Sequence, residues 1–122
     1  MDEVIVSIQQ RTKNFAVRVI KAYVELDKKH FNDASKVLAK QFLRSGTSIG
    51  ANCAEARFAQ SRADFLSKYS IALKEACECK YWIEIVIESK IVSESRFKEM
   101  LSELERIIKI LISTTKRLKQ NK

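Results

Sequence analysis

The sequence has no proline and only two glycines among 122 residues. Nothing therefore forces a helix to stop, and the Gly- and Pro-punctuated turns on which small β architectures depend are missing. The single histidine, His30, leaves mononuclear zinc sites and the Glu-x-x-His pairs of di-iron bundles without nitrogen ligands, so neither metal nor cofactor is expected. Cysteine is scarce and odd in number. Cys53, Cys77 and Cys79 have no framework spacing, and a C-x-C pair on a helix points its thiols about 200° apart, which predicts reduced, buried thiols. No apolar run approaches the roughly 18 uncharged residues of a membrane span. The opening "MDEVIVSIQQRTKNF" begins with two acids and lacks the basic and long apolar regions of a signal peptide, so a cytoplasmic protein without membrane association is expected. There is no base–nucleophile pair and no Gly-rich phosphate loop, and hence no expectation of an enzyme.

What is present is helical. At this length, with 46% hydrophobic and 31% charged residues, residues 1–122 make one domain with a real core. Val4, Ile8, Phe15, Val19, Ala22 and Leu26 form one amphipathic stripe over residues 4–26. Asn32 and Asp33 are candidate N-caps for a second helix over 34–58. Ser61, three residues before Asp64, is a capping-box-like start for a third over 62–90. Ser93 is a candidate cap for a fourth, in which Phe97, Leu101, Leu104, Ile108, Leu111, Thr115 and Leu118 repeat with heptad spacing over 94–119. Four long helices with short connections predict an all-α, antiparallel up-down-up-down four-helix bundle.

That topology turns the net charge of +8, from 23 Lys and Arg against 15 Asp and Glu, into a map. Arg11, Lys13, Arg57, Arg62, Lys116, Arg117, Lys119 and Lys122 fall toward one end, while Glu25, Asp27, Asp33, Glu84, Glu88, Glu94 and Glu99 gather toward the other. A basic foot attracts polyanions. Few aromatic residues accompany it, so phosphate contacts with low sequence specificity are expected in preference to base stacking.

The two glycines stand four apart in "QFLRSGTSIGANCAEA", residues 41–56. A glycine inside a helix costs about 1 kcal/mol relative to alanine, so Gly46 and Gly50 imply the close approach of another backbone. At 100° per residue Ala39, Leu43, Gly46, Gly50 and Ala54 share one flank of the apolar arc, and Leu38, Phe42, Ile49 and Cys53 the other. Gln41, Arg44, Ser48, Asn52 and Glu55 form a separate polar stripe.

The third helix has a core stripe, Phe65, Tyr69, Ala72, Leu73, Ala76, Ile83 and Ile87, and also a second seam. Ile71, Glu75, Glu78, Trp82, Ile85 and Ser89 follow a 4-3-4-3-4 spacing. A bundle helix needs one buried stripe, so an additional one with a tryptophan at its centre points to a neighbouring subunit, with Arg44 as the partner for its acids.

The block "QFLRSGTSIGANCAEA" followed by "SRADFLSKYSIALKEACECKYWIEI" resembles the four-helix bundle proteins encoded in intervening sequences of bacterial large-subunit ribosomal RNA genes, and is similar to the accessory proteins of diversity-generating retroelements. The resemblance runs from Phe15 to about Leu118. Its R-S-x-x-S-I-x-A-N-x-x-E-A core reads here as Arg44, Ser45, Ser48, Ile49, Ala51, Asn52, Glu55 and Ala56, with Asp64, Phe65, Ala72, Glu75 and Trp82 in register. Cys79 stands where the family pattern has threonine, which puts local hydrogen bonding in doubt. The resemblance implies a ring-like homopentamer with a basic surface, no enzymatic activity and, for the retroelement branch, binding to RNA and to a reverse transcriptase.

Together these readings predict a non-enzymatic, oligomeric scaffold that binds structured RNA, with a protein–protein adaptor as the alternative. Arg11, Lys13, Arg57, Arg62, Lys116, Arg117, Lys119 and Lys122 are the candidate nucleic-acid contacts. Arg44, Gly46, Gly50, Asn52, Glu55, Ile71, Glu75, Glu78, Trp82 and Ile85 are the candidate packing and assembly residues.

Overall fold

Capping chemistry and an unbroken helical pattern produce four helices: α1 (Asp2–Lys28), α2 (Asp33–Ala56), α3 (Arg62–Glu88) and α4 (Glu94–Gln120). The computed structural model describes the backbone of residues 2–28 and 32–120 and the side chains of 8–26 and 32–120; Val4, Asp27, His30 and Lys122 lie outside the described side chains. Asn32 caps α2, its side chain accepting from the Ser35 amide at 2.9 Å. Ser61 caps α3 by accepting from the Asp64 amide at 3.0 Å, while the Asp64 carboxylate accepts from the Gln60 amide at 3.2 Å. Each cap satisfies an amide that the first helical turn leaves without a partner. α3 ends in Ser89 followed by Lys90, which takes the left-handed conformation at φ 59°.

Cross-helix pairs give the directions. Arg44 meets Glu75 and Glu78 while Glu55 meets Lys68, so α2 and α3 run antiparallel. Arg11 meets Glu103 and Glu25 meets Arg96, so α1 and α4 do likewise. Gly50 lies against Thr12 and Gly46 against Val19, which makes α1 and α2 antiparallel too. Only residues 89–93 join α3 to α4, and Lys80 pairs with Glu105 across them. The chain is an all-α, up-down-up-down four-helix bundle, as its periodicity predicts.

The core is one layer of stripes facing inward: Ile8, Phe15, Val19, Ala22 and Leu26 from α1; Ala39, Phe42, Ile49 and Cys53 from α2; Tyr69, Ala72, Ala76, Cys79, Ile83 and Val86 from α3; Phe97, Met100, Leu104, Ile107, Leu111 and Leu118 from α4. Two stripes differ from the expected ones. On α4 the buried heptad positions are Met100 and Ile107, with Leu101 and Ile108 only partly covered. On α3 Cys79 and Val86 are fully buried, and Phe65, Leu73 and Ile87 pack at the margin. The reason is common to both: a heptad sequence with apolar residues at adjacent positions fixes the period, and the neighbouring helices select the phase.

Buried hydroxyls satisfy themselves along their own helices. Thr12 Oγ1 donates to the Ile8 carbonyl at 2.7 Å, Ser45 Oγ to that of Gln41 at 2.8 Å and Thr115 Oγ1 to that of Leu111 at 2.9 Å. These bonds allow polar side chains inside an apolar interior without an unmet donor.

Candidate nucleic-acid interface

The two glycines are where α1 and α2 come closest. A Cβ on Gly46 would lie 2.7 and 2.9 Å from the two γ-methyls of Val19, and one on Gly50 would lie 3.1 Å from the Thr12 carbonyl oxygen. The close approach that the sequence implies therefore has a named partner for each glycine. Next to it Gln9 reaches across, its Nε2 donating to the Cys53 carbonyl. Outside this contact a groove of about 660 Å³ runs between the helices, floored by Ala16, Gly50, Ala51 and Ala54 and flanked by Lys13 and Arg57.

The groove leads to the basic end. Here the end of α2, the start of α3 and the end of α4 meet around a cleft of about 500 Å³ lined by Arg57, Ser61, Arg62, Phe65 and Leu118. Arg57, Arg62, Lys116, Arg117 and Lys119 are all exposed, and none forms an ion pair among the described residues. The described acids nearest in sequence are already engaged: Glu55 by Lys68 Nζ at 3.1 Å, and Asp64 in capping α3. The end is thus a concentration of uncompensated positive charge beside an apolar-walled cleft.

One of the predicted contacts stands apart from it. Arg11 turns toward α4, its Nη1 3.4 Å from Glu103 Oε1, and Glu103 is also held by Arg106. Sequence height alone grouped Arg11 with the foot; its azimuth on α1 gives it to the α1–α4 flank instead. Lys122 lies outside the described residues.

The assembly candidates cluster on the α2–α3 face. Arg44 Nη2 is 2.7 Å from Glu78 Oε2, which also accepts from Trp82 Nε1 at 3.1 Å. Arg44 Nη1 lies 3.6 Å from Glu75 Oε1, a buried oxygen that accepts no hydrogen bond among the described residues. Ile71 and Tyr81 remain exposed on the same helix as Trp82 and Ile85, and the Tyr81 ring meets Trp82 edge-on at 5.1 Å. Asn52 serves its own helix, donating to the Ser48 carbonyl at 2.8 Å, and Glu55 pairs with Lys68. The face is apolar with acids at its centre, held in place by one half-exposed arginine.

Two of the three thiols, Cys53 and Cys79, are buried. Burial pushes Cys53 up to about 11 and Cys79 up to about 12 from an ordinary value of 9.0. Hydrogen bonds with Thr12 and Ser45 respectively act in the opposite direction and are outweighed. Cys77 is exposed. Among the described residues no cluster of His, Cys, Asp or Glu is arranged to hold a metal ion, and no helix is long and apolar enough to cross a membrane.

One feature of the basic end escapes the sequence reading. α2 stops at Ala56, so Phe58 falls in the α2–α3 turn and not on the last turn of a helix, and it is 84% exposed. The available signal was a phenylalanine between Arg57 and Arg62.

The sequence profile of the 23S rRNA-intervening sequence proteins matches residues 6–113. The chain belongs to this family. The match takes in the glycine pair, the Arg44–Glu75–Glu78 cluster, and Arg57 and Arg62, and it ends before Lys116, Arg117 and Lys119. A crystal structure of a protein with unknown function from the S23 ribosomal protein family of Bacteroides thetaiotaomicron is 42% identical to this family member, with a TM-score of 0.83 over 93% of this chain and 98% of that one. No curated protein matches the chain.

Proposed function

We propose that this chain is a non-enzymatic, self-associating scaffold that binds structured RNA, ribosomal RNA fragments included, through the basic end of its bundle. The observation that carries the reading is the convergence of Arg57 and Arg62 with the α4 residues Lys116, Arg117 and Lys119 at one end, unpaired among the described residues. The family name, with its tie to 23S rRNA, agrees with a polyanionic partner of this kind. Point charges on flexible stems favour phosphate over base contacts, so affinity falls steeply with salt.

Self-association draws its support from the α2–α3 face. An exposed Ile71 and Tyr81 beside a half-buried tryptophan, with Glu75 Oε1 lacking a donor, suit an interface that a second copy completes. A closed ring is the expected form, a homopentamer by family resemblance. The same features favour a second reading, an adaptor whose basic end docks an acidic protein such as a reverse transcriptase.

Titration with structured RNA at two salt concentrations, with the particle mass measured in the same buffers, tests both. Strong, salt-sensitive binding by a stable oligomer, lost on reversal of Lys116, Arg117 and Lys119 to glutamate, is the expected result. A stable oligomer with no RNA affinity would leave the adaptor reading in its place.

A further inference from the structure

Phe58 is the most exposed aromatic residue among those described. Its ring stands 84% exposed in the turn between α2 and α3. The turn itself is hydrogen-bonded. Arg57, Phe58 and Ala59 donate their amides to the carbonyls of Ala54, Glu55 and Ala56 at 3.2, 3.0 and 3.2 Å. Ser61 and Asp64 cap the helix that follows.

The acids near it, Glu55 and Asp64, are engaged by Lys68 and by the α3 cap, and the charges left without a partner are positive. Arg57 adjoins Phe58 in the chain and Arg62 begins α3, and both line the cleft whose apolar walls are Ala56, Ala59, Phe65 and Leu118. The α4 tail brings Lys116, Arg117 and Lys119 to the same end. The other large exposed apolar residues, Val17, Ile20, Val24, Val37, Ile71, Tyr81 and Ile112, lie along helices. Only at Phe58, among the described residues, does a large exposed ring sit in an interhelical turn flanked by arginines.

We infer that Phe58 is a stacking platform for an unpaired nucleobase, with Arg57 and Arg62 taking the flanking phosphates, so that the RNA engaged at the basic end is single-stranded, looped or frayed. The inference rests on the RNA-binding reading above and specifies the class of RNA. Duplex bases stack on one another and offer no free face to a protruding ring, whereas an unpaired base offers one whatever its identity. A backbone-only contact would use the cations and have no need of the ring. A second copy meeting this end with its own would set like charges against each other, which opposes a symmetric protein contact here.

The test compares a fluorescent, unstructured oligoribonucleotide with the duplex formed on adding its complement, for the native protein and for Phe58→Ala, Phe58→Leu and Phe58→Trp. The native protein should bind the single strand more tightly than the duplex. Phe58→Ala should lower single-strand affinity about 5- to 150-fold and leave duplex affinity unchanged. Its salt dependence should stay the same, because no cation is lost. Phe58→Leu should behave like Phe58→Ala, since it keeps apolar bulk without a π face, and Phe58→Trp should retain binding. At this exposure the variants should melt as the native protein does.

Unchanged single-strand affinity in Phe58→Ala, with binding still abolished by charge reversal of the α4 tail, would overturn the stacking inference and leave the scaffold reading standing. A fall in oligomer mass with Phe58→Ala would also overturn it, by assigning the ring to a protein contact. Absence of RNA binding by the native protein at low salt would overturn the scaffold reading and this inference together.

Discussion

Gly46 and Val19 occupy space that cannot hold one more carbon: a Cβ on Gly46 would lie 2.7 Å from Val19 Cγ2 and 2.9 Å from Cγ1. Val19 is fully buried and β-branched, so it has no free rotamer into which to retreat. Gly46→Ala gains about 1 kcal/mol of helix propensity and meets an overpacking cost of about 1–3 kcal/mol, for a net loss of about 1 kcal/mol. Val19→Ala in the same chain should remove the clash, so the double variant should be more stable than the sum of the two single changes predicts. Gly50→Ala meets the Thr12 backbone carbonyl at 3.1 Å, and Val19→Ala should not relieve it. Urea unfolding of the three single variants, the two double variants and the native protein decides the matter; additivity at Gly46 and Val19 would contradict the contact.

Arg44 stands between two carboxylates, Glu75 and Glu78, and Glu75 is the more buried of them. Arg44→Ala should destabilise the fold by about 1–2 kcal/mol, less than for a fully buried pair because the guanidinium is half exposed. Adding Glu75→Gln removes the charge left without a partner and should recover most of that loss. A double-mutant cycle by chemical denaturation with no coupling between the two positions would show that the pair is ornamental. The same Arg44→Ala change should lower particle mass at limiting protein concentration before it alters RNA affinity.

The thiols make a prediction with a definite pH sign. Unfolded cysteines ionise near 9.0, while Cys53 and Cys79 in the fold are pushed up to about 11 and about 12, with Tyr69 up to about 12 from 10.0. The unfolded chain therefore loses protons first as pH rises. Stability should be unaffected by these groups below pH 9 and should decline from there through the folded values. Cys79→Ser, which does not ionise in this range, should flatten that decline in urea midpoints measured across it. At neutral pH a thiol reagent should label Cys77 in the native protein, and Cys53 and Cys79 only on unfolding.

Lys90 terminates α3 at φ 59°, in the left-handed region that favours glycine. Lys90→Gly should stabilise the bundle by roughly 0.5–1 kcal/mol, because the side chain is exposed and the strain at Cβ disappears. Lys90→Val, a β-branched residue, should destabilise it. Thermal melting of the two variants gives opposite shifts if the cap conformation governs this end of α3.

Much of this was legible in the chain itself. Asn32 and Ser61 cap helices because a short polar side chain meets the free amides of a first turn, a contact made within three residues. The Gly46–Gly50 spacing announced a close approach, and the partner proved to be α1. The α4 heptad was equally plain in period, but Leu101 and Ile108 were assigned to the centre that Met100 and Ile107 occupy. Adjacent apolar positions on a helix differ by about 100° of azimuth, and sequence has no means of choosing between them when both are apolar. Arg11 and Phe58 show the same limit at the candidate site: one points along a flank toward Glu103, and the other stands outside a helix that ended two residues before it.

The sequence by itself determined the helical class, the number of helices and the caps of α2 and α3, because each follows from interactions over three or four residues. The tertiary structure decided which flank of each stripe turns inward, that Arg44 serves two acids on α3, that Glu103 holds Arg11 from 92 positions away, and that Phe58 meets solvent among arginines. These depend on the relative rotation of helices packed side by side. That rotation is set by the shapes of all four stripes together, so no single segment contains it.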